Sequence, residues 1–126
     1  MSVTDPIFSS LWEATLSELQ NDTSLGEVYA DTPNFHADAP REARIDAAEA
    51  VLRRLRDEGW ANFIRRPQGL PDRSPGAVVP DVEVEEVLAI ARRWYSDASE
   101  RQAPEELNVW LAPTQKWLDW AETAYR

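Results

Sequence analysis

The sequence predicts a mostly helical α+β domain, and three observations carry that prediction. Four stretches place apolar residues three and four apart behind a helix-start signal, and a fifth does so more briefly. Two short β-rich runs, 60–65 and 107–111, are long enough for one antiparallel pair. The first is followed by a segment, 67–80, whose four prolines and two glycines predict a loop. With 126 residues, 43% hydrophobic, and six tryptophans, the chain is expected to form a single domain, 1–126, around one core.

The elements follow in order. Asp5-Pro6 is an N-cap followed by proline at the first helical position, and Phe8, Leu11, Trp12, Thr15, Leu16 and Leu19 form one apolar face up to Asn21-Asp22. Thr23-Ser24, followed by Leu25, Val28 and Tyr29, opens a second short helix ending near Thr32-Pro33, with a short strand as the alternative. Asp38-Ala39-Pro40 repeats the start signal. Ile45, Ala48, Val51, Leu52 and Leu55 then predict a helix over about 40–58, and Gly59 is placed to end it in a left-handed conformation. In the run 60–65, Trp60 alternates with Asn62 and Ile64, and Ala61 with Phe63. Asp81 caps a helix over 81–95, with Val84, Val87, Leu88, Ala91 and Trp94 on one face and Glu83, Glu85 and Glu86 in its first turn. Residues 96–106 are polar and contain Pro104. Leu107-Asn108-Val109-Trp110-Leu111 forms the second strand, and Pro113 starts a last helix faced by Trp117, Leu118 and Ala121, with Tyr125 at its end.

Net charge is -10, distributed unevenly. Residues 1–40 hold seven acids and no Lys or Arg, residues 41–73 hold eight arginines against six acids, and residues 74–126 hold ten acids against five bases. So acidic a chain repels nucleic acid at long range. There is no cysteine, hence no disulfide, thiolate nucleophile or Cys-ligated zinc, which fits a reducing compartment. The N-terminal residues lack a basic region and a long apolar run, so a cytoplasmic protein without a membrane span is expected.

The stretches "AVLRRLRDEGWANFIRR" (50–66) and "LNVWLAPTQKWLDWAE" (107–122) resemble winged-helix domains. In that family the third helix commonly ends in a Leu-x-x-x-Gly corner before the wing, here Leu55 to Gly59. The last wing strand commonly ends in a Leu-Thr-Pro-like step, here Leu111-Ala112-Pro113-Thr114. The chain also resembles small bacterial proteins of uncharacterised function that insert a helix between the wing strands. The resemblance implies three N-terminal helices, a two-stranded antiparallel wing with an inserted helix at 81–95, and a C-terminal helix. A DNA-binding member would present positive charge on the third helix and wing. Here Arg53 lies four residues from Glu49 and Asp57, and Arg54 four from Glu58, so that face is expected to be nearly neutral.

Residues for chemistry are few. His36, the only histidine, lies in "PNFHADAP" between Asp31 and Asp38 and reads as a solvated loop residue, having no second His or Cys to complete a zinc or triad set. Glu85-Glu86 and Glu105-Glu106 are adjacent in sequence and diverge on a helix, so neither pair suits general acid/base work. No glycine-rich phosphate loop, Gly-x-Ser-x-Gly or His-Glu-x-x-His occurs. No catalytic, metal or cofactor residue is therefore assigned, and the chain is not expected to be an enzyme.

Trp12, Trp94 and Trp117 are read as core, Trp60 and Trp110 as strand residues, and Trp120 at the margin of the last helix. The reading is a non-catalytic acidic protein-interaction module with a basic partner, in its sharper form an immunity or antitoxin-like neutraliser. The alternative is a winged-helix DNA-binding regulator, and homodimerisation through the last helix stays open. Candidate interaction residues are Arg53, Arg54, Arg65, Arg66, Trp117 and Trp120. Arg65 and Arg66 stand out because no acid lies within four residues of either.

Overall fold

The computed structural model describes residues 6–19, 23–30, 39–65, 77–96 and 108–124. His36 with Asp31 and Asp38, Arg66, Glu105-Glu106, Tyr125 and most of the segment 67–80 lie outside them. The elements run α1 (Pro6–Glu18), α2 (Leu25–Ala30), α3 (Arg41–Asp57), β1 (Ala61–Arg65), β2 (Ala77–Val78), α4 (Asp81–Ser96), β3 (Val109–Pro113) and α5 (Gln115–Ala124). The class is α+β: helices around a small antiparallel sheet in the order β2-β1-β3.

Local chemistry explains most boundaries. Pro6 opens α1, which buries Phe8, Leu11, Thr15 and Leu16. Ser24 caps α2, its hydroxyl and its carbonyl both lying 3.2 Å from the Glu27 N–H, so this segment is a helix and not the alternative strand. α3 begins one residue after Pro40, whose carbonyl accepts the Arg44 N–H, and buries Ile45, Ala47, Ala48, Val51, Leu52 and Leu55. Its end is a Schellman motif: the Trp60 N–H reaches the Leu55 carbonyl at 2.8 Å and the Gly59 N–H reaches that of Arg56 at 3.1 Å. Gly59 makes this turn at φ 79°, in the left-handed region a side chain disfavours.

β1 pairs with β3 along its whole length, with Phe63 opposite Leu111 and Ala61 opposite Pro113. Two expectations are corrected here. The sheet has three strands instead of two, because Ala77-Val78, at the end of the expected loop, pairs with Ile64 and Arg65. Two residues beside Gly76 and Pro80 are too few for an alternation to register. β3 also runs two residues further than expected, so Pro113 ends a strand and does not start the helix. Proline is tolerated there because β3 is an edge strand: the Leu111 N–H donates to Thr23 outside the sheet, and position 113 faces the same way. Thr114 is the true cap, with the Trp117 N–H 3.5 Å from its hydroxyl.

Thr114 also ties the C-terminal half to the corner after α3. Its N–H donates to the Trp60 carbonyl at 3.0 Å, and its hydroxyl donates to the Gly59 carbonyl at 2.5 Å. The core lies between the inner sheet face (Ala61, Phe63, Val109, Leu111) and the helices, which contribute Leu11, Val28, Tyr29, Leu52, Leu55, Leu88 and Trp117 among others. Trp12 and Trp94, expected in the core, are only partly buried against it.

The corner should be sensitive to small changes. Thr114→Val, which keeps the shape and removes the hydroxyl, should destabilise by about 1–2 kcal/mol in urea unfolding. Gly59→Ala should cost roughly 1 kcal/mol through backbone conformation alone, since nothing lies within 4 Å of the added Cβ. Unchanged unfolding midpoints in both would refute the clasp.

Candidate functional site

Two neighbouring surfaces gather the charged and aromatic residues singled out from the sequence. On the first, α4 packs against α3 and its acidic first turns meet arginines. Arg53 forms a two-pronged pair with Glu85, with Nη2 and Oε2 2.9 Å apart. Arg56 pairs with Asp81 and lies 3.7 Å from Asp57. Arg65 of β1 donates to Glu83 at 3.1 Å. The exchange also runs the other way: Arg92 of α4 lies 2.8 Å from Asp46, 3.2 Å from Glu49 and 3.6 Å from Glu42, three acids along one face of α3.

The titration tendencies follow from these contacts. The hydrogen bond from Glu85 pushes the Arg53 guanidinium up, against a smaller effect of burial, and in return Arg53 holds the Glu85 carboxyl below its ordinary range. Arg92 is pushed up chiefly by Asp46, against burial, with Glu49 adding to it. Beneath this layer, burial first and Glu49 second push the Tyr29 phenol well above its ordinary value.

The second surface centres on Glu58, just past α3. Burial pushes its carboxyl up, but hydrogen bonds from Arg54 Nε (2.6 Å) and Trp60 Nε1 (3.1 Å) outweigh that and hold it low. Arg54 in turn stands 4.6 Å from the centre of the Trp12 ring and 5.7 Å from that of Phe8, which stacks on Trp12. On the other side, Lys116 lies 4.2 Å over the Trp60 ring and donates to the Glu58 carbonyl at 2.7 Å. Trp60 meets Trp120 edge-on at 6.0 Å, and Trp120 meets Trp117 at 6.2 Å. The result is a row of rings and cations from α1 to α5, of the kind that presents rigid aromatic area to a partner.

Of the six candidate residues, Arg54 and Trp120 join this second surface with Trp117 buried beneath it, Arg53 and Arg65 join the α4 surface, and Arg66 is outside the described residues. Two need correction. Trp117 is 1% exposed and its Nε1 donates to the Leu16 carbonyl at 2.8 Å, which bears out its core reading and removes it from the candidate anchors of a partner. Arg65, which stood out for having no acid near it in sequence, is matched by Glu83 across the fold. Arg53 also takes its hydrogen-bonded partner from α4 instead of the neighbours expected within α3, whereas Arg54 does pair with Glu58 as expected.

Trp12, Trp60 and Lys116 complete the row, and sequence reasoning did not select them. For Trp60 a signal existed: it follows a helix-ending glycine, and that turn brings its ring within hydrogen-bond reach of Glu58 just past α3. The contact between Trp12 and Arg54 joins two helices 42 positions apart and left no local trace.

Among the described residues no group of three His, Cys, Asp or Glu side chains is placed to hold a metal ion, and no helix is long and apolar enough to cross a membrane. Compared with protein-family models, with characterised proteins and with solved structures, the chain matches none.

These shifts make stability depend on pH at both ends. Glu58 and Glu85 ionise more readily in the folded state, so their stabilisation is complete above the ordinary glutamate pKa of about 4.3 and is lost as pH falls through their lower folded values. Tyr29 has the opposite sign: its contribution is complete below the ordinary phenol pKa of about 10 and is lost as pH rises beyond it. Urea unfolding across pH should show the Glu58→Gln chain with a shallower acid limb and the Tyr29→Phe chain with a shallower alkaline one. Limbs that superimpose on those of the unaltered protein would contradict the assignment.

Proposed function

We propose that this chain is a non-catalytic, acidic protein-interaction module of the cytoplasm whose partner is basic, an immunity or antitoxin-like neutraliser in the sharper form. One observation carries the reading. The cations on the face where α3, β1 and α4 meet (Arg53, Arg56, Arg65 and Arg92) are each held by carboxylates. By contrast, the exposed carboxylates of Glu13, Glu18, Glu27 and Glu86 have no cationic partner among the described residues. Arg41, Arg44, Arg93 and Lys116 likewise lack a carboxylate partner among the described residues, but these residues hold fourteen carboxylates against nine cations, so the charge a partner reads is net negative, and such complementarity steers association and selects partners.

A winged-helix-like topology is part of the proposal. It is supported by the passage of α3 through Gly59 into β1, by the antiparallel β1–β3 pair, and by the bridge of Ser24, between α1 and α2, to Trp110 of β3. Within that topology the alternative, DNA recognition by α3, meets an obstacle: α4 packs along α3 and its acids engage Arg53 and Arg56. Phosphates would have to displace those carboxylates.

Purified protein should capture a basic protein from native lysate at low salt and release it at high salt, and the captured protein should rebind after separate purification. A gel-shift titration with random duplex DNA at the same low salt should show no complex. No basic partner at either salt, or a DNA complex lost on Arg54→Ala or Arg65→Ala, would overturn the reading.

A further inference from the structure

We propose that the outer edge of β2 and the groove beside it form a docking site for an extended, arginine- or lysine-bearing segment of a protein partner, which adds to the sheet as a fourth strand. The inference rests on the reading of the chain as an acidic interaction module, and it names the surface and the kind of segment.

The two edges of the sheet are unlike. On β3 the outward Leu111 N–H is taken by the Thr23 carbonyl at 2.9 Å, Ser24 bridges to Trp110, and Pro113 has no N–H to offer. That edge is closed to strand addition. On β2, Val78 lies opposite Ile64, and the next residue, Val79, donates to the Phe63 carbonyl at 2.8 Å. In an antiparallel ladder the residues that bond inward alternate with those that bond outward. The N–H and C=O of Val78 therefore point away from β1, with no backbone partner among the described residues. An open edge of this kind is a template for another chain.

The side chains here fit the same occupant. Val78 is 60% exposed and Val82, at the start of α4, 89%. Beside them opens a groove of about 490 Å³ with Phe63 and Val79 in its wall and Asn62, Arg56, Asp57 and Asp81 around it. Arg56 is the one cation among these residues, and it is shared by Asp57 and Asp81, whose side chains are 70% and 90% exposed. The groove thus carries one net negative charge. A strand paired at Val78 would present its next same-facing residue about 7 Å further along. Beyond Val78 the chain leads through Val79 to Asp81, so a cationic side chain at that step meets the two carboxylates while apolar neighbours cover the valines.

The test uses the whole chain and a defined probe, a capped decapeptide whose every second residue is in turn valine and arginine, with threonine between them, and the same peptide N-methylated at alternate residues as control. N-methylation keeps the charge and removes the strand-pairing donors without touching the protein. The valine–arginine peptide should shift the backbone amide NMR signals of residues 77–82, and the N-methylated peptide should bind about tenfold more weakly. Asp57→Asn and Asp81→Asn, both at exposed positions, should each weaken binding several-fold at low salt and less at high salt. A valine–glutamate peptide should not bind.

Equal affinity for the N-methylated peptide, or shifts centred away from residues 77–82, would overturn the docking strand while leaving the acidic-module reading standing. Sedimentation of the chain alone should give a monomer, and a dimer broken by Val78→Pro would assign the edge to a second copy instead. If neither the peptide nor any basic protein binds at low salt, the acidic-module reading falls as well, and this separates the two failures.

Discussion

The constraint on which the rest of the structure depends is the corner between α3 and β1. Gly59 at φ 79° reverses the chain without leaving the last helical carbonyls unpaired, because its own N–H and that of Trp60 return to Arg56 and Leu55. That geometry sets where β1 starts, and so which of its residues face the core. A slip of one residue would turn Phe63 outward. Thr114 then reads the same corner from the far end of the chain through the Gly59 and Trp60 carbonyls, fixing β3 and the start of α5. Trp117 follows three residues later, buried and bonded to α1. One glycine and one threonine thereby connect the helical half to the sheet.

The ionic layer between α3 and α4 has a different role. Most of its partners are substantially exposed, and exposed pairs contribute only about 0.2–1 kcal/mol each. Burial of Val84, Val87, Leu88 and Ala91 holds α4 in place. The pairs dispose of charge: arginines that would give α3 a phosphate-binding face are matched, in part by the same acids that favour the start of α4. The outcome is a face nearly neutral where a nucleic-acid reader would be positive, in a chain of net charge -10.

Legibility in the sequence followed the range of the interaction. α1, α3 and α4 were evident because apolar residues at three- and four-residue spacing, together with caps, are local properties. The Gly59 corner was legible for the same reason, and the pairing of β1 with β3 followed as the simplest closure of two expected strands. β2 was not, since two residues carry no period, and the end of β3 was misplaced because proline after a strand resembles proline before a helix. The candidate site was legible only where both partners lie on one helix, as with Arg54 and Glu58. Arg53 with Glu85 and Arg65 with Glu83 are separated by 32 and 18 positions, and only packing brings them together.

By itself, then, the sequence determined the class, the main helices, the corner and the acidic balance, because propensity, capping and charge are written residue by residue. Tertiary structure decided which charges cancel and which tryptophan is buried. These depend on distances between segments far apart in the chain, and folding alone sets those distances.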